Sequence, residues 1–319
     1  MFYRIIRKGV PALILLVFFA VFFAVLDWQY ASVRAEFGLL AGLGAKQPLY
    51  MAIAAGVWIA LVSLFWNEVF SSEELIRSNL TPGILFVLLY FALSPMSLFE
   101  PILMGGLGVI LAFRKLLSSL NANSNTFYFW FDAGWILGFA CLFSSSAFLV
   151  FFIAIAIFNL MGGNLQWRAF VIPMVGLLLA IWGSYAVTDV LGFQNIDLWK
   201  LYDLKEMIGK NSFRSRDAHY WSRLLAILIL LVFSLQAYFN ILKSSTARKR
   251  RAFSALVGLI PLFFPLYLFF PSFASVWIIG LLMPIAPLLS ERLEMFNKSW
   301  KKEVFALSIL LATIIESIM

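Results

Sequence analysis

Apolar runs fill most of the chain, at about 10–26, 48–66, 82–95, 101–117, 130–145, 146–161, 169–189, 222–242, 253–271, 274–289 and 303–318. One water-soluble core could not bury so many. A spanning helix takes about 20 apolar residues, so this pattern predicts an all-α, polytopic integral membrane helical bundle of about 11 spans. Charged residues make up only 13% of the chain, against about 25% in soluble proteins. Residues 1–319 read as one transmembrane domain. Arg4, Arg7 and Lys8 before the first run could imitate a signal peptide, but Asp27-Trp28-Gln29-Tyr30 offers no small-residue cleavage site, so a retained first span is expected.

Two pairs of runs, 82–117 and 130–161, have members short for a full crossing, and each pair could be one long bent helix. Charge separates these alternatives, because short cytoplasmic loops collect Lys and Arg. Eleven crossings from a cytoplasmic N-terminus put 16 of the 24 basic residues inside, for a net +9, and leave −1 outside. Fusing either pair moves the basic cluster of 243–252 to the outside. Fusing both places Arg114 and Lys115 badly. Eleven spans, N-terminus in and C-terminus out, is therefore the expectation, in a bacterial inner membrane.

Proline and glycine qualify individual spans. Pro261, Pro265, Pro271, Pro284 and Pro287 fall within 253–289, so kinked or interrupted helices are expected there, tolerated where neighbours satisfy the freed backbone. Gly134 and Gly138 form a GxxxG, and Gly105, Gly106 and Gly108 open the fourth span. Such residues let helices approach closely. Asp132 reads as an acid at the start of the fifth span, complementing the helix dipole.

Several chemistries are excluded by inventory. His219 and Cys141 are each the only residue of their kind, so no multi-His or Cys/His metal site and no disulfide can form within the chain. No phosphate-binding glycine loop of the Walker or dinucleotide type occurs, and no cofactor is implied. The basic cluster KSSTARKRR lies between two spans, which points to a topology determinant or anionic-lipid contact, not nucleic acid. Acids fall at span ends or in loops, which weakens a proton-driven carrier.

The outer side gathers the remaining candidates. Asp27 ends the first span, and Glu100 sits in the Ser94–Pro101 hinge. Arg214, Arg216 and His219 occupy NSFRSRDAHYW ahead of the eighth span. Each also has a plainer reading. Glu100 before Pro101 suits a helix start, Asp27 beside Trp28 and Tyr30 suits an interfacial aromatic belt, and the arginines can be balanced by Asp217. Within the outer loop 191–221, Leu198, Leu201, Leu204 and Ile208 recur at helical spacing, as in an amphipathic helix lying in the interface.

The segments IRSNLTPGIL, AFRKLL, FDAGWILGFACLF and WRAFVIPMVG, in that order, resemble a family of uncharacterised polytopic membrane proteins from Bacteroidota, a domain of unknown function. Such proteins are sometimes labelled beta-carotene monooxygenases. That chemistry resembles a four-histidine iron site, which His219 alone cannot supply. A second resemblance is to C-type glycosyltransferases, which use polyprenyl-phosphate sugars. It rests on an acid in the first outer loop (Asp27 or Glu36), a second acid in a hairpin of short spans (Glu100), and an outer interfacial segment (191–221). The paired acids of the first loop are absent, and no base flanks Glu100. The resemblance implies Asp27 or Glu100 as catalytic base, and Arg214, Arg216 and His219 near the phosphate of a polyprenyl-phosphate lipid. It leaves open an active transferase, an inactive relative, and a non-catalytic membrane subunit with protein partners in an envelope assembly or secretion complex. A carrier ranks behind these.

Overall fold

A computed structural model describes residues 9–30, 48–72, 75–76, 80–93, 102–120, 127–143, 149–163, 166–190, 218–270, 274–296 and 298–318. The described residues form twelve helices: α1 (Gly9–Tyr30), α2 (Pro48–Ser72), α3 (Thr81–Leu93), α4 (Ile102–Ser119), α5 (Phe127–Phe143), α6 (Val150–Met161), α7 (Arg168–Val190), α8 (Ala218–Ser244), α9 (Ala247–Val257), α10 (Ile260–Phe269), α11 (Ala274–Met295) and α12 (Ser299–Ile318). Five stretches are long and apolar enough to cross a membrane: Ile53–Ser71, Arg168–Ala186, Tyr220–Ser244, Ala247–Phe269 and Val276–Met295. The chain is a multi-pass membrane protein.

Each expected run coincides with a helix, and the ninth is split into α9 and α10. The split has a local cause. Pro261 has no N–H to reach the Val257 carbonyl, and Leu259 instead bonds back to Leu256 at 3.0 Å. Pro284 and Pro287 leave α11 unbroken, as does Pro173 in α7. Residues 276–290 of α11 are all buried, so protein surrounds the carbonyls that those two prolines leave without their usual partners.

The two short pairs are separate, oppositely directed helices. Asn240 and Gln236 of α8 meet Met295 and Arg292 of α11, so these two run parallel. Trp277 at the start of α11 donates to the Phe270 carbonyl past the end of α10, so that pair is antiparallel. Phe151 and Met161 of α6 meet Phe263 of α10 and Gly258 at the end of α9, again antiparallel. Phe113 of α4 packs on Phe151 and Phe158, and Leu120 on Gly162, so α4 and α6 are parallel. Meanwhile Gly83 at the start of α3 lies against Ser63 and Asn67 of α2, and Phe70 of α2 packs on Phe253 of α9, just after the end of α8, so α3 starts where α8 ends and the two run oppositely. Hence α4 reverses α3. Lys115–Asp132 and Trp130–Ser119 pair α4 with α5 in opposite senses, so α6 reverses α5.

Two helices form the centre. Every residue of α3 is buried, and α11 is its main neighbour, with α2, α12 and α1 closing the other sides. At 13 residues α3 is only about 20 Å long, short of the ~30 Å hydrocarbon layer. The chain before it is also enclosed: Leu75 and Ile76 are buried, and the Leu75 N–H bonds to the Phe70 carbonyl at 3.0 Å. Irregular backbone at that depth requires such cover.

Close approach by glycine governs the opposite flank. A Cβ on Gly134 would collide with the Pro173 carbonyl of α7, and one on Gly176 with Phe131 of α5. Gly138 faces Leu177 and Ala180, and Gly108 faces Ala140. Both glycine groups thus serve packing. Asp132 differs from its expected role. The helix begins at Phe127, which puts Asp132 beyond the first turn, and its partner is Lys115 at 2.8 Å. The hinge from Ser94 to Pro101 and the interfacial stretch 191–217 lie outside the described residues.

Candidate functional site

The helices gather their ends on two sides. On one side α1 and α3 finish together, with Phe23 against Phe91 (ring centroids 5.7 Å apart). On that same side α8 begins and α12 ends. The Thr313 hydroxyl of α12 lies within hydrogen-bonding distance of the Leu88 carbonyl of α3 at 3.1 Å and of its own helix's Ile309 carbonyl at 2.9 Å, so its one proton is shared between them and ties the last turns of α12 to α3. Tyr220 anchors the start of α8, stacking on Tyr267 at 5.7 Å and donating to the Leu268 carbonyl at 3.3 Å.

Between these anchored ends lies a cavity of about 610 Å³. Leu89, Ala92 and Leu93 of α3 form its back wall. Its sides are α8, from Ser222 to Phe233, and α12, from Phe305 to Ile315. Phe233 and Phe305 meet edge-to-face at 5.5 Å and close the inner end. These two large rings hold the helices apart, and no side chain of the described residues fills the space beyond them. Leu225, Val232, Leu311 and Ile315 beside it are each more than half exposed on the outer surface of the bundle.

The lining is hydrocarbon apart from Ser222 and Ser308, and the Ser308 hydroxyl is turned to its own helix, donating to the Val304 carbonyl at 2.8 Å. Such a space suits an aliphatic chain, since apolar surface transfers into it favourably and no polar group demands a partner. Among the described residues that line it there is no acid and no base. Chemistry has to come from the rim.

Asp27 belongs to the last turn of α1 and His219 to the first turn of α8, so both backbones share the cavity's end of the bundle. Their side chains, and Glu100, Arg214 and Arg216 entirely, lie outside the described residues. Glu100 follows Leu93 by seven positions and precedes α4 by two, while Arg216 precedes Ser222 by six. Arg223 escaped the sequence reading because it sits inside the apolar run. It is half-buried, next to the cavity-lining Ser222 and one turn from His219. The spacing of four between His219 and Arg223 was the available signal, since it puts both on one helix face. Among the described residues, no group of His, Cys, Asp and Glu could hold a metal ion.

One family model matches the chain, over residues 38–317, and its description is a family of unknown function (DUF6427). No curated protein and no solved structure matches it.

Proposed function

The chain belongs to that family of unknown function, and from its own residues we propose a C-type glycosyltransferase-like protein of the bacterial inner membrane. In this reading it crosses eleven times, with the N-terminus in the cytoplasm, and transfers a sugar from a polyprenyl phosphate on the outer face. The observation that carries the reading is the apolar cavity opening between α8 and α12 at the end of the bundle shared by the last turn of α1 and the first turn of α8. A polyprenyl chain needs such a lateral apolar slot, and its phosphate needs bases at the mouth. Arg214, Arg216 and His219 supply them by sequence position, with Arg223 beside them.

The acceptor hydroxyl gives its proton to Asp27 or Glu100 as its oxygen attacks the anomeric carbon. The bond from that carbon to the phosphate oxygen breaks, and the bases stabilise the departing polyprenyl phosphate. Asp27→Asn and Glu100→Gln, assayed by envelope glycan transfer, test the proposal. At least one is expected to abolish transfer, and unchanged transfer in both removes it.

A second reading, a non-catalytic membrane subunit, draws on the α7 flank. Only 28% of the Arg168–Ala186 span is buried, and Trp182 is 79% exposed. Co-purification of the chain with fixed protein partners, in glycan-transfer-competent and Asp27→Asn/Glu100→Gln forms alike, would favour it.

A further inference from the structure

The end of the bundle opposite the cavity carries a second unassigned feature, at the corner where α8, α11 and α12 meet. The segments 243–251 and 291–303 hold nine bases against three acids, a net of +6. Charge alone would only mark topology. The corner goes further, because polar donors there face sideways into the apolar surface.

Gln236 and Asn240 are exposed on α8 beside Leu235 and the 58% exposed Phe239. Gln236 lies eight residues before the end of α8, about 12 Å into the helix. The Arg292 guanidinium reaches it from α11, donating to Gln236 Oε1 at 3.2 Å, and packs over the Phe296 ring at 5.2 Å. Arg292 Nε is buried and without a hydrogen-bond partner among the described residues, so the exposed edge of the guanidinium is the one that meets Gln236. The Asn240 amide donates to the Met295 thioether at 3.5 Å, a weak acceptor. Lys243, exposed, follows Asn240 by three positions and so shares its face.

Bases at this corner outnumber acids, nine to three. Lys249 shows the contrast, for its charge is met by Glu291 at 2.8 Å. Polar groups facing hydrocarbon are costly without partners, and the missing partner here is an anion. Exposed Leu235, Phe239, Val304 and Leu307 flank the corner, and Trp300, 58% exposed with Lys301 beside its ring, marks the interface.

We propose that this corner is a binding site for an anionic phospholipid of the bilayer. Its phosphate takes hydrogen bonds from Arg292 and Asn240 with Lys243 beneath, and its acyl chains lie along the exposed faces of α8 and α12. The site is separate from the cavity and holds whichever side of the membrane faces inward.

The test uses the full-length protein recovered from mixed phosphatidylglycerol and phosphatidylcholine nanodiscs, with native mass spectrometry reading the retained lipid. Phosphatidylglycerol is expected to be enriched on the wild type. Arg292→Gln and Lys243→Gln should each lower its retention roughly fivefold, the effect of one base near an anionic surface, and Asn240→Leu should lower it less. Arg292→Lys should restore part of the retention. Lys115→Gln, at another place on the same face, should leave it unchanged. If Arg292→Gln does not fold, the exposed Lys243→Gln and Asn240→Leu decide the matter. No preference for phosphatidylglycerol in the wild type, equal retention in all variants, or displacement of the lipid by inorganic phosphate would each overturn the proposal.

Discussion

The α5–α7 seam and the α8–α12 seam are built from opposite materials. Between α5 and α7 the contact surface is glycine, with Gly134, Gly138 and Gly176 bringing backbones together until a methyl group would not fit. Between α8 and α12 the contact is two phenylalanines, and the helices part on one side of them to leave the cavity. Lipid is as apolar as leucine, so neither seam closes by hydrophobic pressure alone. Side-chain size at a few positions decides whether two membrane helices weld or stand apart.

The largest expected effect breaks the welded seam. Gly134→Leu drives a branched side chain into the Pro173 backbone and should cost more than about 3 kcal/mol, read as loss of folded protein in thermal denaturation. Gly183→Ala, whose Cβ would meet only Trp135 at 3.8 Å, should be harmless. Full folding of Gly134→Leu would dissolve the contrast between the seams.

A smaller effect on stability, but a larger one on occupancy, is expected at the open seam. Ala226→Trp fills the cavity and should shift stability by no more than about 1.5 kcal/mol while abolishing retention of a polyprenyl phosphate. Retention equal to wild type would show that the cavity is not where that lipid binds. The smallest change is Thr313→Val, which deletes a hydroxyl shared between the Leu88 and Ile309 carbonyls and should cost about 1 kcal/mol. Its melting temperature checks this.

The helices were legible because the runs together hold more apolar sequence than one soluble core could bury, and charge on Arg114, Lys115 and 243–252 separated the short pairs. Glycine spacing likewise announced the α5–α7 contact. Three things could not be read. The break at Gly258–Leu259 depends on which of five prolines disrupts its helix. The partner of Asp132 depends on how α4 and α5 turn their faces. The cavity joins α3, α8 and α12 from distant parts of the chain, and the leucines and isoleucines lining it are chemically the same as those facing lipid. The candidate acids and bases were singled out for standing at apolar run ends, and Arg223, inside such a run, was missed for the same reason.

The enclosure of α3 has a consequence in time. This helix, central in the finished protein, is complete about 180 residues before α11, its main neighbour, begins. At about 5–20 residues per second of synthesis, it waits roughly 10–35 s without that cover. Its sequence, TPGILFVLLYFAL, carries no charge, so the waiting helix can rest against lipid and exchange it for α11 afterwards. The centre of the bundle is then an early arrival whose main wall is delivered late.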